Sequence, residues 1–388
     1  MERVGRPPTI LVSANSLWNL RNFRGRLLDR LVEAGYSVAV AAPREEAGAP
    51  MAGKWEAQHP LGIDSDGLNP VHDGLLILAY LRLFRKIRPL AYLSFTAKPN
   101  IYGALAAGLA GVPAIPNVSG LGTAFIRGGA LQRVISLMYR AAFRRAPVVF
   151  FQNGEDRDLF VARGLVRREQ ARLLPGSGVD LQRFQPPPAP RERDACCTFL
   201  FVGRLLGDKG VRELVEAARR VKAVEPQARF QLLGFIGAAN RTAIGKDELA
   251  AWEGDGVVEY LGAAEDVRPF LAAADAVVLP SYREGLPRSL LEAAAMGRPL
   301  IATDVPGNRA VVADGVNGLL CAVRSASSLA DALLRFIALP AAEKRLMGEA
   351  SRRLVEERFS EEKVVAAYLD AIHEVAGLPM SGRNGVSQ

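Results

Sequence analysis

The sequence predicts two α/β domains, each built on a doubly wound parallel sheet. Short apolar runs alternate with longer amphipathic runs through the first half, and the alternation starts again near residue 198. Strands that alternate with helices favour parallel sheets with right-handed crossovers. Three consecutive prolines at 186–188 separate the two series, and proline interrupts both helices and central strands. A chain of 388 residues is long enough for two domains.

The first half contains strand-like runs of a few mostly apolar residues, which is typical of strands buried on both faces. The predicted strands are Thr9–Val12, Ser37–Ala41, Ala91–Phe95, Ala114–Val118 and Val148–Gln152. Between them lie longer runs with helical periodicity. The predicted helices are Phe23–Glu33, Gly74–Ile87, Ile101–Ala110, Ala130–Arg144 and Glu155–Arg163.

The second half repeats this pattern. Its predicted strands are Thr198–Val202, Arg229–Leu233, Val257–Leu261, Ala276–Leu279 and Leu300–Ala302. Its predicted helices are Val211–Val224, Val267–Ala274, Arg288–Met296, Ser327–Ala338, Ala341–Glu357 and Glu361–Val375. We therefore expect an N-terminal domain over 1–185, a linker over 186–194, a C-terminal domain over 195–360, a helix over 361–376 that packs back toward the N-terminal domain, and a frayed tail over 377–388.

The excess positive charge lies in the first half of the chain. Residues 1–190 carry a net charge of +10 and residues 191–388 a net charge of −2, which together give +8. No acidic residue occurs between Asp73 and Glu155, a window that contains ten Lys or Arg residues. Such a surface attracts phosphate, including anionic lipid headgroups. The alternative is a solvated basic face that only improves solubility.

An uncharged stretch of 28 residues, Pro99–Ile126, is long enough to span a bilayer. Glycines and prolines interrupt it, so we expect a buried helix, a turn at Gly111 and a buried strand instead. The three cysteines, Cys196, Cys197 and Cys321, form no CxxC pair or zinc pattern. Reduced thiols and a cytoplasmic location are therefore expected.

The motif Pro280–Glu292 follows a predicted buried strand and leads into a predicted helix. A turn at Gly285–Pro287 before a helix offers free backbone N–H groups to a phosphate. Two carboxylates, Glu284 and Glu292, flank the turn, and each can accept hydrogen bonds from a vicinal diol of a sugar or ribose. The alternative is a capped helix in which Glu292 pairs with an arginine.

A second motif, Phe201–Val211, follows the first strand of the C-terminal domain. Arg204 and Lys209 are placed to bind a diphosphate beside the next helix N-terminus, and the glycines among them allow a ligand to approach the backbone. The motif is neither a dinucleotide-binding GxGxxG nor a P-loop, so NAD and ATP are not favoured. Ordinary surface charge is the alternative.

These motifs resemble the donor half of the retaining family 4 glycosyltransferases, which have the GT-B fold. The shared residues are Val202–Arg204, Asp208–Gly210, Gly234, Tyr260–Gly262, Asp275, Pro280–Ser281 and the pair Glu284 and Glu292. The first half resembles bacterial O-antigen and capsule transferases, and N-acetylgalactosaminyltransferases that act on diphosphoundecaprenyl-bacillosamine. That resemblance rests on Asn22–Arg24, Lys98–Asn100, Ser119–Gly122, Phe150–Asn153 and Pro175–Asp180.

The resemblance implies a role for each matching residue. Arg204 and Lys209 neutralise the donor diphosphate, and Glu284 lies near the transferred sugar. The implied donor-binding residues are Gly203, Gly234, Tyr260, Val267, Gly285, Leu286, Pro287 and Glu292. The implied acceptor-binding residues are Asn22, Arg24, Lys98, Asn100, Ser119, Gly120 and Gly122. The GT-B fold implies two Rossmann-like domains facing a cleft, with the ligands at the carboxyl ends of the strands.

Two features bear on the reaction chemistry. Many family members carry paired glycines in the loop after the first strand, whereas this chain has Ser13–Ser16 followed by Leu17–Arg21. Asp64 and Asp66 have the spacing of a metal-binding pair but lie far in sequence from the donor motifs. We therefore expect no metal and no cofactor, because Arg204 and Lys209 provide the positive charge.

The resemblance implies a retaining transfer of a hexose or N-acetylhexosamine from a UDP-sugar to a polyprenyl-diphosphate-linked sugar. The acid-free basic window predicts that the N-terminal domain docks on an anionic membrane surface without spanning it, at the inner face of the cell membrane. One alternative is a UDP-sugar 2-epimerase, although the acid-free window lacks the carboxylates that it needs. A non-catalytic sugar-binding or nucleic-acid-binding protein is another, but no aromatic and basic RNA motif occurs, so no nucleic acid is expected.

Overall fold

The protein is described by a computed structural model that covers residues 7–44, 55, 57–64, 69–120, 129–187, 196–237 and 242–378. It forms two compact units, one of Met1–Ser177 with Glu361–Gln388 and one of Gly178–Ser360. The second unit therefore begins before the predicted limit at residue 185. The reason is local, because Val179 forms a parallel bridge with Ser360 and Phe184 packs into the second unit's core.

The first unit contains a seven-stranded parallel sheet with the order β3-β2-β1-β4-β5-β6-β7. The central strands are uniformly buried, as their apolar sequences predict. The strands are β1 Thr9–Ser13, β2 Ser37–Ala42, β3 Ala57–Pro60, β4 Ala91–Phe95, β5 Ala114–Val118, β6 Val149–Phe151 and β7 Ala171–Leu173.

Helices connect these strands and cover both faces of the sheet. They are α1 Leu17–Glu33, α2 Pro70–Ile87, α3 with a π turn at Pro99–Gly103 continuing as Ala104–Ala110, α4 Gly129–Phe143 and α5 Gly154–Ala162. α1 begins at Leu17, earlier than predicted, because the Ser16 side chain caps it by accepting a hydrogen bond from the Asn19 N–H at 3.1 Å.

The second unit contains a six-stranded parallel sheet with the order β10-β9-β8-β11-β12-β13. The strands are β8 Thr198–Val202, β9 Arg229–Leu233, β10 Glu259–Tyr260, β11 Ala276–Leu279, β12 Leu300–Thr303 and β13 Gly318–Cys321. The helices are α6 Val211–Val224, α7 Lys246–Gly254, α8 Arg268–Ala273, α9 Arg288–Ala295, α10 Pro306–Arg309, α11 Ala326–Ala338 and α12 Ala341–Arg358.

The sequence did not predict three edge or near-edge elements of these sheets. β3, β7 and β13 are only three or four residues long, and a run of that length carries too few side chains to show a period. α7 and α10 were likewise missed. The doubly wound α/β prediction itself is confirmed in both units.

The last helix, α13 Glu361–Ala376, belongs to the first unit. Its Tyr368 is fully buried, with its ring 5.9 Å from that of Phe95 and 5.0 Å from that of Phe150. The Tyr368 hydroxyl accepts a hydrogen bond from Asn117 Nδ2 at 2.7 Å. Arg172 and Glu374 add a bidentate ion pair at the surface. This helix therefore completes the core of a domain that begins more than 300 residues earlier in the chain.

The uncharged stretch forms the π turn and helix of α3, a left-handed turn at Gly111 and the buried strand β5, as predicted for residues 99–118. Residues 121–126 lie outside the described residues. Across the described ranges, no helix combines the length and the apolar character needed to cross a lipid bilayer.

Replacing Tyr368 tests how far α13 stabilises the first unit. Tyr368→Ala should lower the free energy of unfolding by about 3–5 kcal/mol, because it leaves a large cavity between two aromatic rings. Tyr368→Phe should cost about 1–3 kcal/mol, because it leaves the Asn117 amide without its acceptor. Urea denaturation followed by circular dichroism measures both, with exposed Val71→Ala as the control. An unchanged transition in Tyr368→Ala would contradict this assignment.

Candidate active site

The order of the second sheet marks one edge as the place for a ligand. The chain winds outward from β8 in one direction to β9 and in the other to β11. In such sheets ligands bind outside the carboxyl ends of the strands at this switch point. The loop after β8 contains Arg204 and Lys209, and the loop after β11 contains Glu284. The two strongest sequence motifs therefore lie at the same edge.

Lys209 and Glu284 form an ion pair at this edge. The Lys209 ammonium group donates a hydrogen bond to Glu284 Oε1, and the two side chains are 26% and 12% exposed. Lys209 lies in a 3₁₀ turn, Gly207–Lys209, and Glu284 lies in the turn before α9. This half-buried pairing is not an ordinary solvated surface charge.

Arg204, in the same loop as Lys209, is exposed. Among the residues that the structure describes, no group accepts a hydrogen bond from its guanidinium. An arginine in this state can form a bidentate contact with a diphosphate.

The two loops contact each other through their backbones. Gly210 has a φ of +73°, and a Cβ at this position would lie 2.1 Å from the Pro280 carbonyl oxygen. The Tyr282 N–H also donates to the Asp208 carbonyl at 3.0 Å. A side chain at residue 210 would push the two loops apart, so glycine is required for Lys209 to reach Glu284.

A second close approach joins the loops after β8 and β9. Gly234 has a φ of +153°, and a Cβ there would lie 1.8 Å from the Gly203 carbonyl oxygen. The Tyr260 hydroxyl donates to the Gly234 carbonyl at 2.9 Å. The structure thus brings together Gly203, Gly234 and Tyr260, which the family resemblance assigns to the donor. Val267 is half-buried and immediately precedes α8.

The turn Gly285–Pro287 leads into α9, as predicted, and Glu292 lies in the second turn of that helix. Arg288 Nε donates to Glu292 Oε1 at 2.7 Å, which is the ion pair of the alternative interpretation. Burial raises the pKa of the Glu292 carboxyl, and the Arg288 guanidinium opposes that rise. Leu286 is half-buried, and Gly285 and Pro287 are buried.

The sequence analysis did not identify the residues of α10 that pack against the backbone of Glu284 and Gly285. A Cβ at Gly307, in α10, would lie 2.6 Å from the carbonyl oxygens of both Glu284 and Gly285. The fully buried Asn308 donates to the Thr303 carbonyl and hydroxyl, each at 3.0 Å. The sequence feature that could have indicated them is the Pro306-Gly307 pair that follows β12, the strand next to β11.

Tyr282 was also missed. Its hydroxyl donates to Glu213 Oε1 at 2.6 Å, which links the loop after β11 to the first turn of α6. Burial raises the pKa of Tyr282 to about 12, and the adjacent Glu213 carboxylate contributes to the rise. The phenol therefore stays protonated and keeps this link at neutral pH.

The first sheet has its own switch point, between β1 and β4. Thr96, directly after β4, has a φ of +70°, which is unusual for a β-branched residue. Its hydroxyl accepts a hydrogen bond from the Asn15 N–H at 3.2 Å, so the loops after β1 and β4 are joined here. Backbone strain of this kind occurs often at functional sites.

The structure gives two of the predicted acceptor residues internal partners. Lys98 forms an ion pair with the buried Asp73 at 3.0 Å, and Tyr102 donates to the other Asp73 oxygen at 2.7 Å. Asn100 is 1% exposed, accepts from Ser94 at 2.8 Å and donates to the Asn117 carbonyl at 2.7 Å. Asn100 therefore positions the loop through these two hydrogen bonds, and its contact with an acceptor stays a prediction.

The other acceptor candidates are spread over α1 and the end of β5. Arg24 is buried, with its guanidinium carbon 4.3 Å from the centre of the Phe95 ring. Asn22 is exposed and donates to the Trp18 carbonyl at 2.9 Å. Ser119 and Gly120 are half-buried after β5, and Gly122 lies outside the described residues.

Within the ranges that the structure describes, no group of three or more His, Cys, Asp or Glu side chains is arranged to hold a metal ion. Asp64 is exposed, and Asp66 lies outside the described residues.

Both halves of the chain match known sequence families. Residues 196–338 match the family "Glycosyl transferases group 1", and residues 21–177 match the "Glycosyl transferase 4-like domain". The chain belongs to the glycosyltransferases. The family predicted from the sequence motifs is thereby confirmed for both halves of the enzyme.

Several curated relatives of this glycosyltransferase are known. An N,N'-diacetylbacillosaminyl-diphospho-undecaprenol alpha-1,3-N-acetylgalactosaminyltransferase of Campylobacter jejuni is 30% identical over 60% of this chain and 64% of its own length. A D-inositol 3-phosphate glycosyltransferase of Geodermatophilus obscurus is 35% identical over 53% of this chain and 48% of its own length. The matched region thus spans less than two thirds of each relative.

Solved structures of similar fold cover nearly the whole chain. Sucrose-phosphate synthase from Thermosynechococcus elongatus has a TM-score of 0.76 at 20% identity, covering 93% of this chain and 97% of its own. WaaG, a glycosyltransferase involved in lipopolysaccharide biosynthesis, has a TM-score of 0.73 at 18% identity, covering 95% and 100%. Anabaena Alr3699/HepE in complex with UDP-glucose has a TM-score of 0.71 at 18% identity, covering 95% and 99%. These likenesses confirm the GT-B fold.

Proposed function

We propose that this glycosyltransferase moves a hexose or N-acetylhexosamine from a UDP-sugar to a sugar carried on a polyprenyl diphosphate. The reaction belongs to bacterial surface polysaccharide or glycan assembly and retains the configuration at the anomeric carbon, as the family resemblance implies. The observation that carries the proposal is the cluster of Arg204, Lys209 and Glu284 at the switch point of the second sheet.

Charge explains why this cluster suits a nucleotide-sugar donor. When the bond between the anomeric carbon and the diphosphate breaks, negative charge develops on the leaving group. Arg204 and Lys209 stabilise that charge. The oxygen of the acceptor hydroxyl forms the new bond to the anomeric carbon, and the hydroxyl proton passes to the departing diphosphate. Glu284 holds Lys209 in place before the donor binds and lies near the transferred sugar. UDP as the carrier agrees with the UDP-glucose bound to Alr3699/HepE.

No metal ion or other cofactor takes part in this proposal. Two side chains with permanent or near-permanent positive charge supply the electrostatic stabilisation that a divalent cation supplies in other transferases. Glu292 accepts hydrogen bonds from the ribose hydroxyls, in exchange for part of its pairing with Arg288.

The acceptor is inferred from the relative in Campylobacter jejuni, whose name specifies a diphospho-undecaprenol-linked sugar. Such an acceptor is anchored in a membrane, so the enzyme must reach the membrane surface from the cytoplasmic side. A surface on α4 fits that requirement. The exposed basic residues of α4 are Arg133 and Arg140, and the exposed Arg144 follows directly after its last residue. The exposed apolar residues of α4 are Leu131, Val134 and Leu137.

Internal pairing with acidic residues would be a purely structural role for these arginines. In the described part of the chain, none of Arg133, Arg140 and Arg144 forms an ion pair. Met138 of the same helix packs against the domain core, whereas Val134 and Leu137 are 49% and 64% exposed. An exposed apolar strip beside unpaired arginines is typical of helices that lie on anionic membranes.

The donor contacts are tested by Arg204→Ala and Lys209→Ala. Each should lower kcat/KM, because the activation free energy rises by about 2–4 kcal/mol, the scale of a lost contact to a developing oxyanion. The measurement is UDP release from a panel of UDP-sugars with a short-chain polyprenyl-diphosphate N-acetylhexosamine. Exposed Arg335→Ala, on α11, is the matched control and should keep wild-type turnover.

Wild-type turnover in both well-folded variants would contradict the donor assignment. The same assay separates the alternatives, because an epimerase converts the UDP-sugar without an acceptor and a binding protein releases no UDP.

Metal independence is tested by chelation. EDTA should leave turnover largely unchanged, and an Asp64→Ala/Asp66→Ala variant should remain active, because Arg204 and Lys209 already neutralise the diphosphate. Strict Mg²⁺ or Mn²⁺ dependence that disappears with the aspartate pair would show that the donor site is misplaced.

Membrane binding is tested by co-sedimentation with liposomes. Each basic residue near an anionic surface contributes about 1 kcal/mol, and salt screens this attraction. The protein should bind anionic vesicles at low salt, and Arg133→Glu/Arg140→Glu/Arg144→Glu should bind much less. Equally strong binding to neutral vesicles, or none at low salt, would remove the electrostatic proposal.

A further inference from the structure

Trp18 is unusual among the three tryptophans of the chain. Its side chain is 51% exposed, whereas Trp55 and Trp252 are 7% and 8% exposed. An indole ring carries a large apolar surface, and a folded protein normally covers most of it. A half-exposed tryptophan therefore needs an explanation in terms of a partner or ligand.

The position of Trp18 narrows the choice of ligand. α1 starts directly after β1, so its first turn lies at the carboxyl edge of the first sheet, at the switch point between β1 and β4. This is the edge at which a doubly wound sheet binds its ligand. The strained Thr96 and the loop of Asn15 meet at the same switch point.

The turn that carries Trp18 is fixed from two sides. The Asn22 side chain donates to the Trp18 carbonyl at 2.9 Å, and Ser16, two residues before Trp18, caps the first turn of the helix. The Trp18 ring packs edge-on against Phe23, with centroids 5.4 Å apart and planes at 84°. The indole is thus held in a defined orientation before any ligand binds, which reduces the entropy lost on binding.

We propose that the Trp18 indole is the stacking platform for the sugar ring of the acceptor. This inference rests on the proposed function, in which the acceptor is a lipid-linked saccharide. One face of a pyranose presents C–H groups with partial positive charge, which suit the negative face of an aromatic ring. The half-buried amides Asn15 and Asn19 flank Trp18 in sequence and provide donors and acceptors for sugar hydroxyls.

A saccharide fits this setting better than a lipid surface. Between residues 7 and 64, no other large apolar side chain among the described residues is exposed, and the amides of Asn19 and Asn22 lie near Trp18 in the same helix. A membrane anchor needs a contiguous apolar strip, such as the one on α4. The role of Asn22 also becomes clear, because it holds the Trp18 turn and need not contact the acceptor itself.

Fluorescence quenching by acrylamide tests this contact directly. The difference between wild type and Trp18→Phe isolates the signal of Trp18 from those of the two buried tryptophans. A short-chain prenyl-diphosphate N-acetylglucosamine should protect Trp18 from acrylamide. The same prenyl diphosphate without the sugar, and vesicles of anionic lipid, should not. Equal protection by the sugar-free compound or by vesicles would overturn the proposal.

Kinetics provide the second readout. Trp18→Ala should raise the KM for the acceptor about tenfold and leave the KM for the UDP-sugar within about twofold, because stacking contributes on the scale of an aromatic pair. Trp18→Phe should show a smaller rise. Exposed Val316→Ala, in the second unit, is the control for loss of an exposed apolar side chain.

The two ways of failing are distinguishable. If the wild-type enzyme turns over but Trp18→Ala keeps the wild-type KM for the acceptor, the platform is wrong and the proposed function stands. If the wild-type enzyme turns over no lipid-linked saccharide, the proposed function fails. Quenching still decides the platform in that case, since it requires binding only.

Discussion

The close approach of the loops that follow β8 and β11 is the constraint on which the donor site depends. Gly210 lies so near the Pro280 carbonyl that no side chain fits between them. This contact places Lys209 within reach of Glu284, although the two residues are 75 positions apart. Gly307 fixes the same turn from the side of α10. Glycine at these positions therefore determines where the charged groups lie.

The two switch points differ in how they use polar residues. At the edge of the second sheet, charged groups are half-buried or exposed, and they suit a charged ligand. At the edge of the first sheet, many polar groups form hydrogen bonds with one another. An example is the buried network of Ser94, Asn100, Asn117 and Tyr368. This network makes the first edge rigid and leaves few side chains, Trp18 among them, for a ligand.

The fold could be predicted because its central strands are apolar and its helices are amphipathic over several turns. The observed limits match the predicted ones for β4, β5, β8, β9 and β11. The short strands at the sheet edges contain too few residues to show a hydrophobic periodicity. Loop positions of the donor residues followed from the motifs and from sheet topology. The pairing of the charged groups could not be predicted from the sequence, because Lys209 and Glu284 are 75 positions apart in the chain. The burial of Asn100 could not be predicted from the sequence either, since asparagine is normally accessible to solvent.

The central claim is that Arg204 and Lys209 hold the diphosphate of the donor. Calorimetric titration with UDP and UMP, in buffer containing EDTA, tests it most directly, because the two nucleotides differ by one phosphate. The account predicts that wild-type protein binds UDP at least about tenfold more tightly than UMP, on the scale of one charge-assisted contact. This preference should disappear in Arg204→Ala/Lys209→Met. Equal affinity of the wild type for both nucleotides, or a preference that survives in the variant, would contradict the account.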